Sequence, residues 1–314
     1  MLTAPERRLI AQPGLTSTVA REYVHRAAVA EVFLTGWAKT GTDTFTVSAQ
    51  WPRSHSFYAP AHDMHDPMLL CETIRQCGML LSHTEYDLPF GHSIGWSRMQ
   101  YALNPQAMRI AAKPAEITLH VTCSDIRSHR SLPSSMTMHI EAVRDDSLLA
   151  VASIGFNNYS PAVYERLRAG RSDAVRLSES APTPPDPVSR SVAGRRRSDI
   201  VLSPTQERSR WQLRVDTAHP VLFDHPLDHV PGMLLLESVR QAGHALEPSL
   251  GTMMPTSMDV SFNRYVEFDA PCWVEAEAVS AQEGGARRSV RVNGIQGGRF
   301  AFTATAEMTD MSSV

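Results

Sequence analysis

A chain of 314 residues, 42% apolar and 20% charged, has the material for one large or two ordinary globular domains. A net charge of −3 gives no support to a nucleic-acid partner, and no run of about 18 apolar residues exists that could cross a membrane. The four scattered cysteines, Cys71, Cys77, Cys123 and Cys272, make no C-x-x-C pair. That argues against a zinc ribbon or disulfide framework and fits a reducing cytoplasm.

In chain order, MLTAPERRLIAQPGL puts charge where a signal peptide would have its apolar core, so residues 1–23 read as an extension. A first unit, 24–164, opens with a strand candidate, VAEVFLTGW (29–37), and a second alternating segment beginning TFTVSAQW. A loop rich in His, Pro and Asp follows, and then a long apolar helix containing CETIRQCG (71–78). After it come ITLHVTC (117–123), SMTMHIEAV (135–143) and LLAVASIGF (148–156), whose period of two reads as an antiparallel meander. Residues 165–197 are rich in Pro, Ser and Arg and lack apolar periodicity, the composition of a linker whose Arg195–Arg197 run is a solvated end.

The second unit, 198–314, repeats this order. DIVLS (199–203) and RWQLRVD lead to a loop and a helix starting near Pro231, where a missing N–H does no harm. CWVEAEAV (272–279), RSVRVNGI (288–295) and RFAFTATAEM (299–308) complete it. LESVRQAG (236–243) stands 165 residues after CETIRQCG, and Asp63 and Asp228 each lie nine residues before the respective Glu. The class is therefore α+β, with two similar units in one chain.

Glu72, Arg75 and Gln76 share one helix face, as do Glu237, Arg240 and Gln241. A solvated ion pair would explain either set alone. The surrounding helices are too apolar for a generous wet face, and a buried polar cluster needs partners. The two starts differ. Gly232 allows a close approach to the backbone, whereas Pro67, which aligns with it, has no N–H to offer.

Residues 223–243, FDHPLDHVPGMLLLESVRQAG, resemble the active-site segment of hotdog-fold β-hydroxyacyl carrier-protein dehydratases, with His225, Pro231, Gly232 and Glu237 in the matching places and a His–Glu spacing about two residues shorter. Together with VHRAAVAEVFLTGW (24–37), AQWPRSHSFYAP (49–60) and HDPMLLCETIRQCG (65–78), they are similar across nearly the whole chain to the A-factor synthase family, which makes γ-butyrolactone signals and related furans in actinomycetes. The resemblance implies a double hotdog. It implies transfer of a β-ketoacyl group from an acyl carrier protein or other thioester to dihydroxyacetone phosphate, then ring closure and dehydration to a phosphorylated butenolide. It further implies Glu72 or Glu237 as general base, His225 facing Glu72 across the unit interface, and Arg75, Arg240, Gln76, Gln241 and Gly232 contacting substrate. His229, Asp63 and Asp228 are expected to shape the loops.

No phosphate-cradling or dinucleotide fingerprint is present, so no cofactor is expected. GHSIG (91–95) matches a nucleophile elbow, but WSRMQYALNP after it alternates like a strand rather than opening a helix. HDMHD (62–66) has the spacing of metal ligands, yet its counterpart LDHVP loses most of them. A dehydratase or thioesterase, a non-catalytic acyl-ligand sensor, and homodimerisation of the chain all stay open.

Overall fold

The computed structural model describes residues 16–129, 131–190, 194–246, 253–281 and 287–313. The first unit contains β1 (Leu34–Gly41), β2 (Thr44–Trp51), helix α1 (Pro67–Thr84), β3 (Ser93–Leu103), β4 (Ala115–His129), β5 (Leu132–Arg144) and β6 (Ser147–Tyr159). The connection holds α2 (Pro161–Arg168) and α3 (Ala174–Glu179). The second unit contains β7 (Leu202–Pro204), β8 (Arg210–Leu213), helix α4 (Gly232–Ala245), β9 (Met253–Phe262), β10 (Cys272–Ala281), β11 (Arg287–Gln296) and β12 (Arg299–Asp310).

Among the described residues, twelve strands form one antiparallel sheet in the order β1-β2-β4-β5-β6-β3-β9-β12-β11-β10-β8-β7. Each half of this list is the same walk through its own unit, and the halves meet at β3 and β9, where Gln100 lies opposite Asp259. Arg98 Nη2 pairs with Asp259 Oδ2 at 2.5 Å across that seam. A sheet of this length curls because strands twist, and each half wraps its own helix. The alternation read from the sequence does this work: Phe45, Val47, Ala49 and Trp51 of β2 and Ile117, Leu119 and Val121 of β4 all point into the core. On α1 every residue except Arg75 and Thr84 is buried, and on α4 ten of the fourteen are.

Several elements depart from the sequence reading. The segments expected to open each unit as strands, 29–37 and 199–203, begin instead with short 3-10 turns (Val29–Glu31 and the end of Arg197–Asp199), and β1 and β7 start only at Leu34 and Leu202. The reason is a side chain: Gln76 Oε1 accepts the Phe33 N–H and Gln241 Oε1 accepts the Val201 N–H, each at 2.9 Å, so these backbones bond partly to the helices. The seam strand β9 carries Pro255 and four polar residues, and the period-two reading passed over it. Ser93 opens β3, an eleven-residue strand, so the elbow motif has no helix behind it. The residues of HDMHD separate into different jobs. His62 and Asp63 form a turn with φ of 54° and 57°, His65 packs edge-on to Trp51, and Asp66 caps α1.

The linker reading also needs correction. Helix α2 crosses residue 165 and buries Arg168 against the second unit, where it pairs with Asp228 and Glu267. Ser178 bonds both the N–H and the carbonyl of Leu227. Arg195, expected in solvent, is largely buried between Asp66 and Glu237, whereas Arg196 and Arg197 stay exposed as expected. A composition reading sees Pro, Ser and Arg but not the buried carboxylates waiting for those guanidinium groups.

Candidate active site

The repeated Glu-x-x-Arg-Gln motif is first a structural knot. In α1, Gln76 Nε2 donates to the Glu31 carbonyl (2.6 Å) and to Glu72 Oε1 (2.7 Å). Arg75 donates to both oxygens of Glu72, at 2.9 and 2.8 Å. Arg26 adds Nε and Nη2 contacts to Oε1, at 3.0 and 2.8 Å. The second unit repeats the knot: Gln241 Nε2 donates to the Asp199 carbonyl (2.8 Å) and to Glu237 Oε1 (2.5 Å), Arg240 pairs with Glu237, and Arg195 takes the place of Arg26. Both carboxylates are fully buried, and such charges are tolerable only when paired and hydrogen-bonded. Burial alone would raise the Glu72 carboxyl, but the Arg26 and Arg75 charges win and hold it near 2.

The knots then reach across the seam. Arg26 Nη1 donates to the Val221 carbonyl at 2.8 Å and lies 3.5 Å from Asp224 Oδ1. Arg195 bonds the Phe57 carbonyl and lies 3.3 Å from Asp66 Oδ2. Here the pseudo-symmetry breaks. Asp66 caps α1, its Oδ1 accepting the Met68 N–H at 2.8 Å, while its Oδ2 also takes Arg240 at 3.0 Å. The start of α1 is thus closed by its own cap. The start of α4 has Pro231 as N-cap and no side-chain cap bond.

A cavity of about 630 Å³ opens at the α4 end. Its wall includes Gly232 and Met233 at the α4 start, Arg75 and Met79 from α1, Trp96 from β3, and Arg26, His225, His229 and Arg264. The volume suits a ligand of drug-like size, and a helix N-terminus presents backbone N–H groups and the positive end of a dipole. Two His–Asp pairs flank it. His225 Nδ1–H donates to Asp224 Oδ1 and His229 Nδ1–H to Asp228 Oδ1, each at 2.5 Å. Asp224, whose Oδ2 accepts the Ala27 N–H at 2.9 Å, is held near 2: burial opposes this, but the His225 bond, the Arg26 charge and the Ala27 bond outweigh it.

The model for the A-factor biosynthesis hotdog domain matches residues 10–158 and 177–312. The chain belongs to the A-factor biosynthesis hotdog family. A relative from Streptomyces virginiae, named 2-oxo-3-(phosphooxy)propyl 3-oxoalkanoate synthase, is 45% identical over 92% of this chain and 97% of its own length. A protein of the same name from Streptomyces coelicolor is 37% identical over 96% of this chain and 95% of its own. Among solved structures, an oleoyl thioesterase (putative) from Lactobacillus plantarum superposes with a TM-score of 0.52 at 13% identity, covering 84% of this chain and 96% of that one, a likeness of fold alone.

Within this member of the A-factor hotdog family, the expected residues divide into two groups. Arg75, His225 and Gly232 line the cavity. Glu72 and Gln76 lie behind Arg75 and Arg26, and Glu237, Arg240 and Gln241 sit in the second knot, whose helix start is closed; none of these five is part of the cavity wall. The expected encounter of His225 with Glu72 is indirect, running from His225 through Asp224 and Arg26 to the Glu72 carboxylate. Asp228, expected to form a turn or cap, instead holds His229, Tyr164 and Arg168. The sequence reading missed Arg26, Trp96, His25 and Arg264 as wall residues. Arg26 and Arg195 could have been found by extending the repeat upstream, since R-A-A-V-A-E and R-R-R-S-D place an Arg shortly before Glu31 and Asp199 in both units. Trp96 and Arg264 carried no such signal.

Proposed function

We propose that the protein transfers a 3-oxoacyl group from a thioester to the primary hydroxyl of dihydroxyacetone phosphate. The product is the phosphorylated ester for which the relatives are named, and ring closure with loss of water leads on to a phosphorylated butenolide. The observation that carries this reading is a cavity that pairs one uncapped helix start with an arginine wall from the other unit. In this reading the thioester oxygen lies at the α4 start, where Gly232 and Met233 offer backbone N–H groups to the oxyanion that forms on attack. The triose oxygen bonds to the acyl carbon, the carbon–sulfur bond breaks, and the thiol leaves protonated.

Arg75 donates to the β-keto oxygen, and the exposed Arg264 at the mouth receives the triose phosphate, for which a guanidinium fork is well suited. Glu72 acts through Arg75 and Arg26 by fixing both guanidinium planes, and His225 orders Asp224, which holds Arg26. Gln76 and Gln241 clamp the chain leading into each first strand and take no part in substrate binding. The donor in this reading is carried by an acyl carrier protein. The β3–β9 seam supplies within one chain the unit-to-unit contact on which the cavity depends, so no second copy is needed to complete it.

Purified protein incubated with a 3-oxoacyl thioester and dihydroxyacetone phosphate, read by mass spectrometry, tests the reading. A product equal to both substrates minus the thiol, with or without further loss of water, supports it. Thiol release with no triose incorporated overturns it in favour of a thioesterase. Tight acyl binding with no turnover overturns it in favour of a sensor.

A further inference from the structure

We propose that His229, oriented by Asp228, is the general base that takes the proton from the triose hydroxyl, a role that rests on the acyl-transfer reading above. His229 stands three residues before Gly232 on a segment pinned by the Val230 N–H to the Val266 carbonyl at 2.9 Å. Its Nδ1–H is committed to Asp228 Oδ1, which leaves Nε2 as the lone-pair nitrogen of the neutral ring. The side chain is 27% exposed and lines the same cavity as the α4 start.

Asp228 is held as firmly as the imidazole. Its Oδ2 accepts the Tyr164 hydroxyl at 2.7 Å and faces Arg168 Nε at 3.3 Å, while Arg168 Nη2 donates to the Asp228 carbonyl at 2.9 Å. The edge of Tyr265 packs on the ring, with centroids 4.6 Å apart. A base held by a third group that is itself fixed is the arrangement that activates a hydroxyl in nucleophilic acyl transfer.

Charge decides between the two His–Asp pairs. Around His229 the bonded charges are Asp228, Arg168 and Glu267, whose two oxygens take Arg168 at 2.7 and 2.8 Å, so this shell is net anionic. Outside it stand Arg171, paired to Glu267 and Asp269, and the exposed Arg264. Around His225 the carboxylates of Asp224 and Glu72 are matched by Arg26 and Arg75, so that shell carries no excess negative charge. In the step proposed, the hydroxyl proton moves to His229 Nε2 as the oxygen attacks the thioester carbon. The same proton then passes to the departing sulfur, so the ring returns neutral and thioester plus alcohol become ester plus thiol.

His229→Ala, Asp228→Asn and His225→Ala are compared with the wild type for ester formation across about pH 5.5 to 9, which spans the usual imidazole value of about 6.5, with and without added imidazole. His229→Ala is expected to lower kcat by about 10²–10⁴-fold with KM for the triose little changed, to lose the ascending limb of the pH profile, and to regain activity with imidazole. Asp228→Asn lowers kcat in the same direction. Retention of activity in His229→Ala, or imidazole rescue seen in His225→Ala instead, overturns the proposal and leaves the acyl-transfer reading standing. Absence of ester from the wild type overturns that reading, and this proposal falls with it. Thermal melts of the variants separate a lost base from a lost fold: a folded His229→Ala that stays inactive without regaining activity on imidazole addition also counts against the base.

Discussion

The ring of Trp96 in the first unit lies 2.7 Å from the point where a Cβ on Gly232 in the second would stand. That contact sets the start of α4 against β3 and leaves no room for a methyl group. Gly232→Ala must push the Trp96 ring, which also packs edge-on to Phe262, or lift the helix start. Overpacking of this kind costs about 1–3 kcal/mol. A lowered thermal midpoint with a larger loss of turnover than of stability is expected. An unchanged midpoint would show that the ring moves freely.

The two knots, alike in bonding, predict different phenotypes. Glu72→Gln leaves Arg26 and Arg75 without their shared carboxylate at the cavity wall, whereas Glu237→Gln leaves Arg240 and Arg195 with Asp66 as their remaining carboxylate at the helix start that Asp66 closes. Breaking a buried ion pair costs about 3–5 kcal/mol, so both variants melt earlier. Only Glu72→Gln is expected to raise KM for the acyl thioester markedly in protein that remains folded. Equal kinetic damage from both would remove the distinction between open and closed ends.

Arg264→Ala tests phosphate recognition at the mouth. A charge-assisted hydrogen bond is worth about 1.5–3 kcal/mol, which corresponds to a rise in KM for dihydroxyacetone phosphate of roughly 10–150-fold with kcat nearly constant. Unphosphorylated dihydroxyacetone should be used equally by variant and wild type. If the variant loses instead on the thioester donor, the residue serves the carrier's phosphate arm.

Acid should weaken the fold in two stages. His25 Nε2 sits 2.7 Å from His83 Nε2, and burial first, then the Arg75, His83 and His225 charges, lower the His25 pKa from 6.5 to about 3. The unfolded chain therefore binds a proton that the folded chain refuses between about pH 6.5 and 3, and stability falls with acid across that window. Glu72 and Asp224, both lowered to about 2, contribute stability present above their unfolded values and lost as pH falls towards 2. Denaturant midpoints measured from pH 8 downwards should decline first gently and then steeply. His65, lowered to about 4 chiefly by burial, shares the upper stage, so His25→Asn should make that stage shallower and spare the lower one; an unaltered upper slope would assign it to His65 or another group.

By itself the sequence determined the duplication, the two central helices, most strands and the shared face of each Glu-x-x-Arg-Gln set, because these follow from periodicities of 2 and 3.6 residues that depend only on near neighbours. It also hinted that the two helix starts differ, in Gly232 against Pro67. Only the tertiary structure decided what the motif does. The Glu72 carboxylate meets Arg26 from 46 residues earlier, Asp66 meets Arg240 from 174 residues later, and Asp228 meets Tyr164 from 64 residues earlier in a stretch without periodic signal. A buried charge must find a partner wherever the chain brings one, and that choice belongs to the packing of the two units. The same long-range pairing closed the start of α1 with its own aspartate and left the start of α4 open beside two histidines.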